Sequence, residues 1–262
     1  MVRRLCFYIA SLCVLCGCSK SPPGLKVAAT AVPHAQMLEF IKPDLATQGI
    51  NLVIIVTDDY NMPNRALADK EIDANFFQHI PFMNSQIDEF HYPIESIGKI
   101  EIEPMGIYSK KIKSLSDLKE GSVIAIPNDP TNEARALILL QSKYLIELDS
   151  SILQTSKMTV LDIKKNPKHL KFIEIDAAML PRSLDDVDAA AINTNYALAA
   201  NLSPTKDALA LENKDSRYAN ILAIRIGDDH RPDIVALKQA LTSPKMKTFI
   251  LEKYQGAILP SF

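Results

Sequence analysis

Ser122-Val-Ile-Ala-Ile-Pro-Asn-Asp-Pro-Thr-Asn-Glu-Ala-Arg135 passes from an apolar stretch directly into a helix start. Ser122 to Ile126 has the β-branched, uninterrupted apolar character of a buried strand. Asp129 suits the position that caps a helix, and Pro130 suits the first turn, where its missing N–H costs nothing. The helix is predicted to run from Pro130 to about Leu145. Strand, short loop and long helix form the unit from which α/β proteins are built.

The same alternation extends in both directions. Lys26 to Thr30 reads as a first strand, followed by a helix from about Pro33 to Gln48 with Met37, Leu38, Ile41 and Leu45 at helical spacing. Asn51 to Val56 is a second strand, and Pro63 opens a helix that ends near Lys70. Ile72 to Asn75 gives a short third strand, Pro81 to Glu89 a helix, and Glu101 to Tyr108 an extended segment. Later strands are expected at 172–175, 188–192 and 219–226, and two helices at 232–242 and 244–254. The pattern predicts an α/β protein with largely parallel sheets, and its length allows one large domain or two lobes.

Ligands in such sheets sit beyond the carboxyl ends of strands, which singles out 57–63, 76–82, 127–135 and 193–196. Thr131, Asn132 and Arg135 lie three or four residues apart and share one helical face. Free N–H groups in that first turn favour an anion, and Arg135 can offer a planar fork to a carboxylate. The competing reading is a surface ion pair of little energetic consequence. Asn75 to Phe82 gathers Phe76, Phe77, Phe82 and His79 in a chain with nine Phe, eight Tyr and no Trp. Such a box suits an apolar or thioether side chain; the alternative is ordinary core phenylalanines and a structural histidine. The segments 58–64 and 192–196 supply amides and hydroxyls that can orient a ligand's ammonium, or else merely form turns and caps.

The N-terminus has a different character. Met1-Val-Arg-Arg4 precedes a 12-residue apolar run, Leu5 to Cys16. A basic start before a short apolar core is the layout of a secretory signal, and the run falls short of the roughly 20 residues that span a bilayer. Leu15-Cys-Gly-Cys18 resembles a lipobox, so cleavage before Cys18 and acylation (palmitate) of its sulfur are expected. Residues 1–17 would be the signal peptide and 18–24 a lipidated polar tether. All four cysteines lie in this leader, which leaves no disulfide framework and no free thiol for chemistry. Without Arg3 and Arg4 the balance is 27 basic against 31 acidic residues, which argues against nucleic acid as a partner.

The chain contains no phosphate-binding glycine loop, no nucleophile elbow and no zinc-protease motif. Its five histidines show no ligand spacing, so neither a metal nor a cofactor is predicted. The pattern points to a binding protein and not to an enzyme.

Several long motifs occur in order: Asp73-Ala-Asn-Phe-Phe-Gln-His79, Glu103-Pro-Met-Gly-Ile-Tyr-Ser109, Ile126-Pro-Asn-Asp-Pro-Thr-Asn-Glu133, Leu180-Pro-Arg-Ser-Leu-Asp-Asp-Val-Asp-Ala189, Ile192-Asn-Thr-Asn-Tyr-Ala197 and Tyr218-Ala-Asn-Ile221. With these the chain resembles the methionine-binding lipoprotein (MetQ/NlpA) family, the solute receptors of methionine ABC importers. The resemblance implies a two-lobed periplasmic-binding-protein-like fold (type 2), each lobe a mixed sheet flanked by helices, with the ligand cleft between them. Lobe I would comprise 25–108 and, after a hinge return, 201–262; lobe II would be 109–200. By position, Arg135 would take the methionine carboxylate, and Asn193 and Asn220 would hold the polar end with Asn132 nearby. Tyr60, Phe76, Phe77, His79 and Phe82 would wall the thioether.

The chain departs from the family pattern in four places. Phe82 replaces a usual Tyr, Ala134 a Gly, Arg217 a Pro, and Ala31-Val32 a Pro-Gly. The implied function is a monomeric, lipid-anchored receptor that delivers L-methionine to an importer permease served by a separate ATPase chain. The alternatives are D-methionine, a methionine-containing peptide, another apolar amino acid, or a surface lipoprotein that keeps the fold without transport.

Overall fold

The computed structural model describes residues 24–152, 157–213 and 217–262. The expected signal peptide, Cys18 and all of the tether except Gly24 lie outside the described residues.

The chain begins with β1 (Leu25–Thr30), α1 (Gln36–Thr47), β2 (Leu52–Thr57), α2 (Met62–Ala68), β3 (Ala74–His79), α3 (Ile80–Phe90) and β4 (Ile94–Ile102). It crosses to a second sheet through β5 (Gly106–Tyr108), β6 (Val123–Pro127), α4 (Pro130–Ser142), β7 (Glu147–Leu148), β8 (Ile163–Lys165), β9 (Lys171–Ile175), α5 (Leu180–Ser183), β10 (Ala189–Ile192), α6 (Thr194–Ala199), α7 (Pro204–Asp207) and β11 (Ala210–Leu211). It returns with β12 (Ala219–Arg225), α8 (Pro232–Leu241), α9 (Pro244–Tyr254) and β13 (Leu259–Pro260).

Two lobes result. The first sheet has the order β13-β4-β12-β3-β1-β2 and the second β11-β5-β10-β6-β9. The sheets are mixed, not largely parallel: β1 pairs parallel with β2 and β3, but β12 runs antiparallel to β3 and β4. Likewise β10-β6-β9 is parallel while β5 runs against β10. In each lobe the first strand after the chain crosses over runs antiparallel to its neighbours, so each sheet takes in a strand arriving from the other lobe. This moves the expected boundaries. β5 at 106–108 pairs with β10 and β11, and β11 pairs with β5. The crossings therefore fall between β4 and β5 and between β11 and β12, not after Tyr108 and Ala200.

Each lobe has its own apolar centre. Met37, Leu38, Ile41 and Leu45 of α1 pack with Val27, Phe76 and Leu237, and Leu137 and Leu140 of α4 pack with Ile107, Ile124 and Ile126. No helix of the described residues is long and apolar enough to cross a membrane.

Two local differences bear on the site. The third strand begins later than its apolar pattern predicts and runs on through Phe76, Phe77 and Gln78 to His79, all buried. Those aromatics are therefore within the strand, not after it. The first α-helix proper starts at Gln36, because Ala31–Ala35 forms a wider turn that includes Pro33 and extended Val32.

Candidate ligand-binding site

Four strands, β2, β3, β6 and β10, deliver their carboxyl ends to the junction of the lobes, and residues at or after those ends line one pocket together with Glu103 and Asn220. The alternating side chains of β3 divide the aromatic pair. Phe77 turns to the junction. Phe76 turns to the core of lobe I, where it is fully buried and meets the His34 ring edge-on at 4.5 Å. The expectation that Phe76 walls the ligand is thereby corrected. The pocket is lined by Tyr60, Phe77, His79, Phe82, Asn132, Arg135, Asn193 and Asn220 from the expected set, with Gln78, Glu103, Thr194 and Asn195 in addition. The space these side chains enclose is small.

His79 caps α3: its Nδ1 accepts from the Phe82 N–H at 3.1 Å, and its Nε2 lies 3.3 Å from Asn132 Oδ1. This pair of contacts requires hydrogen on Nε2 alone. Burial, and then the Arg135 charge, pushes the imidazole down to about 3, so His79 is a neutral orienting group. Tyr60, Phe77 and Phe82 form the apolar wall with ring centroids 5.8–5.9 Å apart.

The first turn of α4 differs from its expected role. Asp129 does cap the helix, but its carboxylate itself takes the N–H and the side-chain amide of Asn132 and the hydroxyl of Thr131. The turn is therefore filled from within and is not an open anion site, and Thr131 does not reach the pocket.

Arg135 carries the positive charge of the site, and it is not a surface ion pair. It is 3 % exposed. Nε and Nη2 grip the Glu212 carboxylate at 2.6–3.2 Å, and Nη2 also donates to the Glu103 carbonyl at 2.6 Å. The Tyr218 ring lies 4.6 Å beneath the guanidinium. Glu103 and Glu212 stand on the two opposed crossings, so Arg135 ties both together. Its Nη1 has no protein hydrogen bond among the described residues. Nearby, Asn193 donates to Asn132 Oδ1 at 2.8 Å, while its own Oδ1 is buried without a partner among the described residues.

Behind Asn220 lies a cluster that residue spacing does not reveal. The amide nitrogen of Asn220 is 3.1 Å from His34 Nε2, 2.8 Å from Glu101 Oε1 and 3.2 Å from Glu103 Oε1. The His34, Glu101 and Glu103 donor atoms lie within 4.8 Å of one another, the kind of His and acidic grouping not expected from the scattered histidines. An amide donor already occupies its centre, which is hydrogen-bonded architecture and not an open cation cage. One signal for it was present in the sequence: Glu101 and Glu103 are two apart in an extended, otherwise apolar segment and so share a face.

The lobes meet directly around the pocket. Tyr60 donates to Asn195 at 2.6 Å and Tyr196 to the Asp58 carbonyl at 3.0 Å. The Thr194 hydroxyl donates to the Pro104 carbonyl at 2.6 Å.

Comparison with known proteins identifies the family. Residues 25–262 match the NlpA lipoprotein family model. The chain is 42% identical over 248 residues to the methionine-binding lipoprotein MetQ of Bacillus subtilis, covering 93% of this chain and 90% of the relative. It is also 42% identical to the D-methionine-binding lipoprotein MetQ of Salmonella typhi, over 88% of this chain and 87% of that one. A nutrient binding protein from Burkholderia cenocepacia, solved bound to methionine, superposes with a TM-score of 0.88 at 48% identity, covering 91% of this chain and all of that one. The chain belongs to the NlpA lipoprotein family.

Proposed function

We propose that this chain is an envelope lipoprotein that captures methionine between its lobes and presents it to an ABC importer. It acts as a receptor and not as an enzyme, anchored by lipid on Cys18. The observation that carries the reading is the pairing of unspent polar groups with an aromatic wall in one pocket. Arg135 Nη1 is available to a carboxylate, Asn193 Oδ1 is available to an ammonium, and Tyr60, Phe77 and Phe82 present carbon surface to a thioether chain. A zwitterion is buried without large cost only where both of its charges are met. Relatives named for methionine and for D-methionine support the same ligand class.

The test is calorimetric titration of the full chain in detergent with L-methionine, D-methionine, leucine and a methionine dipeptide. Saturable binding of methionine ahead of leucine and the dipeptide is the expected result. Absence of binding by every amino acid would sink the proposal.

Lobe contact should contribute to affinity. Tyr60→Phe keeps the ring but removes the hydroxyl that bridges to Asn195. A neutral hydrogen bond is worth about 0.5–1.5 kcal/mol, so methionine affinity should fall a few-fold while the melting temperature stays nearly unchanged. Titration and thermal melting of the same sample check this.

A further inference from the structure

We propose that the Glu101–Glu103–His34 cluster is a proton-exchange subsite: the ligand's ammonium displaces a proton held between the two carboxyl groups, so that amino-acid capture releases that proton to solvent. The inference rests on the amino-acid ligand proposed above and adds to it the role of the carboxyl groups.

Its basis is geometric. Glu103 is the only carboxyl group lining the pocket among the described residues, and Glu101 stands directly behind it, fully buried. Carboxyl oxygens of the two lie within 4.8 Å of one another, both within reach of the same Asn220 amide nitrogen. Two buried carboxyl groups this close favour a hydrogen on one of them, because two like charges would otherwise face each other. The Asn220 amide nitrogen reaches both Glu101 Oε1 and Glu103 Oε1, and His34 Nε2 lies 3.1–3.2 Å from the same two oxygens. Glu101 Oε2 is buried with no partner among the described residues. Two ionised carboxylates in this setting would be under-compensated, because the adjacent cation, Arg135, is already gripped by Glu212.

The other titratable groups facing the pair are His34, Tyr60, His79, Tyr254 and Arg135 with Glu212. Burial lowers His34 and His79 and raises the two tyrosines, so none of these supplies a positive charge near neutrality except Arg135. Burial in turn pushes Glu101 up to about 7 and, with repulsion from Glu101, Glu103 up to about 8. The pair therefore holds a proton at neutral pH.

An ammonium placed between Glu103 and Asn193 Oδ1 favours the ionised carboxylate and expels that proton. The sign follows from linkage. Above about pH 8 the carboxyl groups are already ionised and affinity is at its maximum. As pH falls below about 7, each binding event must displace a proton, and affinity drops by up to roughly tenfold per pH unit.

The test is titration of the full chain with L-methionine at pH 7 in phosphate and in Tris, whose protonation heats differ, and across pH 6 to 8.5. The expected results are buffer-dependent heat corresponding to release of up to one proton and affinity that rises with pH to a plateau. Glu103→Gln keeps the side-chain size but cannot ionise, and its proton release should vanish. Glu101→Gln serves as a second variant should the first fail to melt cooperatively. Glu133, also raised to about 7, accepts from the Val160 N–H away from the pocket. Proton release that persists in both Gln variants would assign the proton elsewhere and overturn the proposal. Methionine binding with buffer-independent, pH-independent affinity would overturn it while leaving the receptor assignment intact. No binding of any amino acid would overturn both.

Discussion

Arg135→Ala is expected to weaken methionine binding by roughly 3–5 kcal/mol, about two to three orders of magnitude or more in Kd. The size follows from what the guanidinium touches. It is buried, holds the Glu212 carboxylate with two nitrogens, and donates to the Glu103 carbonyl across the other crossing. Truncation leaves the ligand carboxylate without a cation and also strands Glu212, which is only 14 % exposed, in a site of low polarity. Arg135→Lys should recover little, because a single ammonium cannot reproduce two edges of a planar fork, one on Glu212 and one on the ligand. Calorimetry on both variants, with thermal melting to follow the lost tie between the crossings, checks this. Wild-type affinity in Arg135→Ala would contradict the placement of the carboxylate.

Phe76→Ala is expected to cost about 3–5 kcal/mol of folding stability. The ring is fully buried in the largest apolar cluster of lobe I, against His34, on a strand flanked in the sheet by β1 and β12. Alanine leaves a cavity there, because the surrounding side chains of β1, β12, α1 and α8 are already fixed by packing on one another. Phe77→Ala, one residue on, should instead lose methionine affinity and comparatively little stability, since Phe77 lines the pocket. Denaturant unfolding and ligand titration of the two variants give opposite orders of severity if this assignment is right. Equal loss of stability in both would contradict it.

These neighbours also illustrate how far the sequence could be read. The apolar periods of α1 and β2, the cap at Asp129 and the proline starts of α4, α8 and α9 are local features, and each element formed within a few residues of its expected bounds. Extending the third strand only to Asn75 failed because Phe-Phe-Gln-His has no polar alternation. A strand buried on both faces gives none, so periodicity could not show where it ends. Treating Phe76 and Phe77 as one box failed for a related reason. Adjacent residues in a strand point to opposite faces, and the box reading assumed a loop. Short strands such as β11 and β13 were not legible because pairing with β5 and β4, not propensity, holds them in place.

The sequence by itself determined the α/β alternation, the separation of charged and apolar segments, and the residue types available for a zwitterion: Arg135, the asparagines and the aromatics. Those follow from local chemistry and from motif order. Only the tertiary structure decided that Arg135 is clamped between Glu103 and Glu212, that Phe76 belongs to the core, and that His34, Glu101 and Glu103 meet behind Asn220. His34 is 67 residues from Glu101 and 186 from Asn220. No period or local spacing spans such intervals; strand order and two chain crossings bring those side chains within hydrogen-bonding distance.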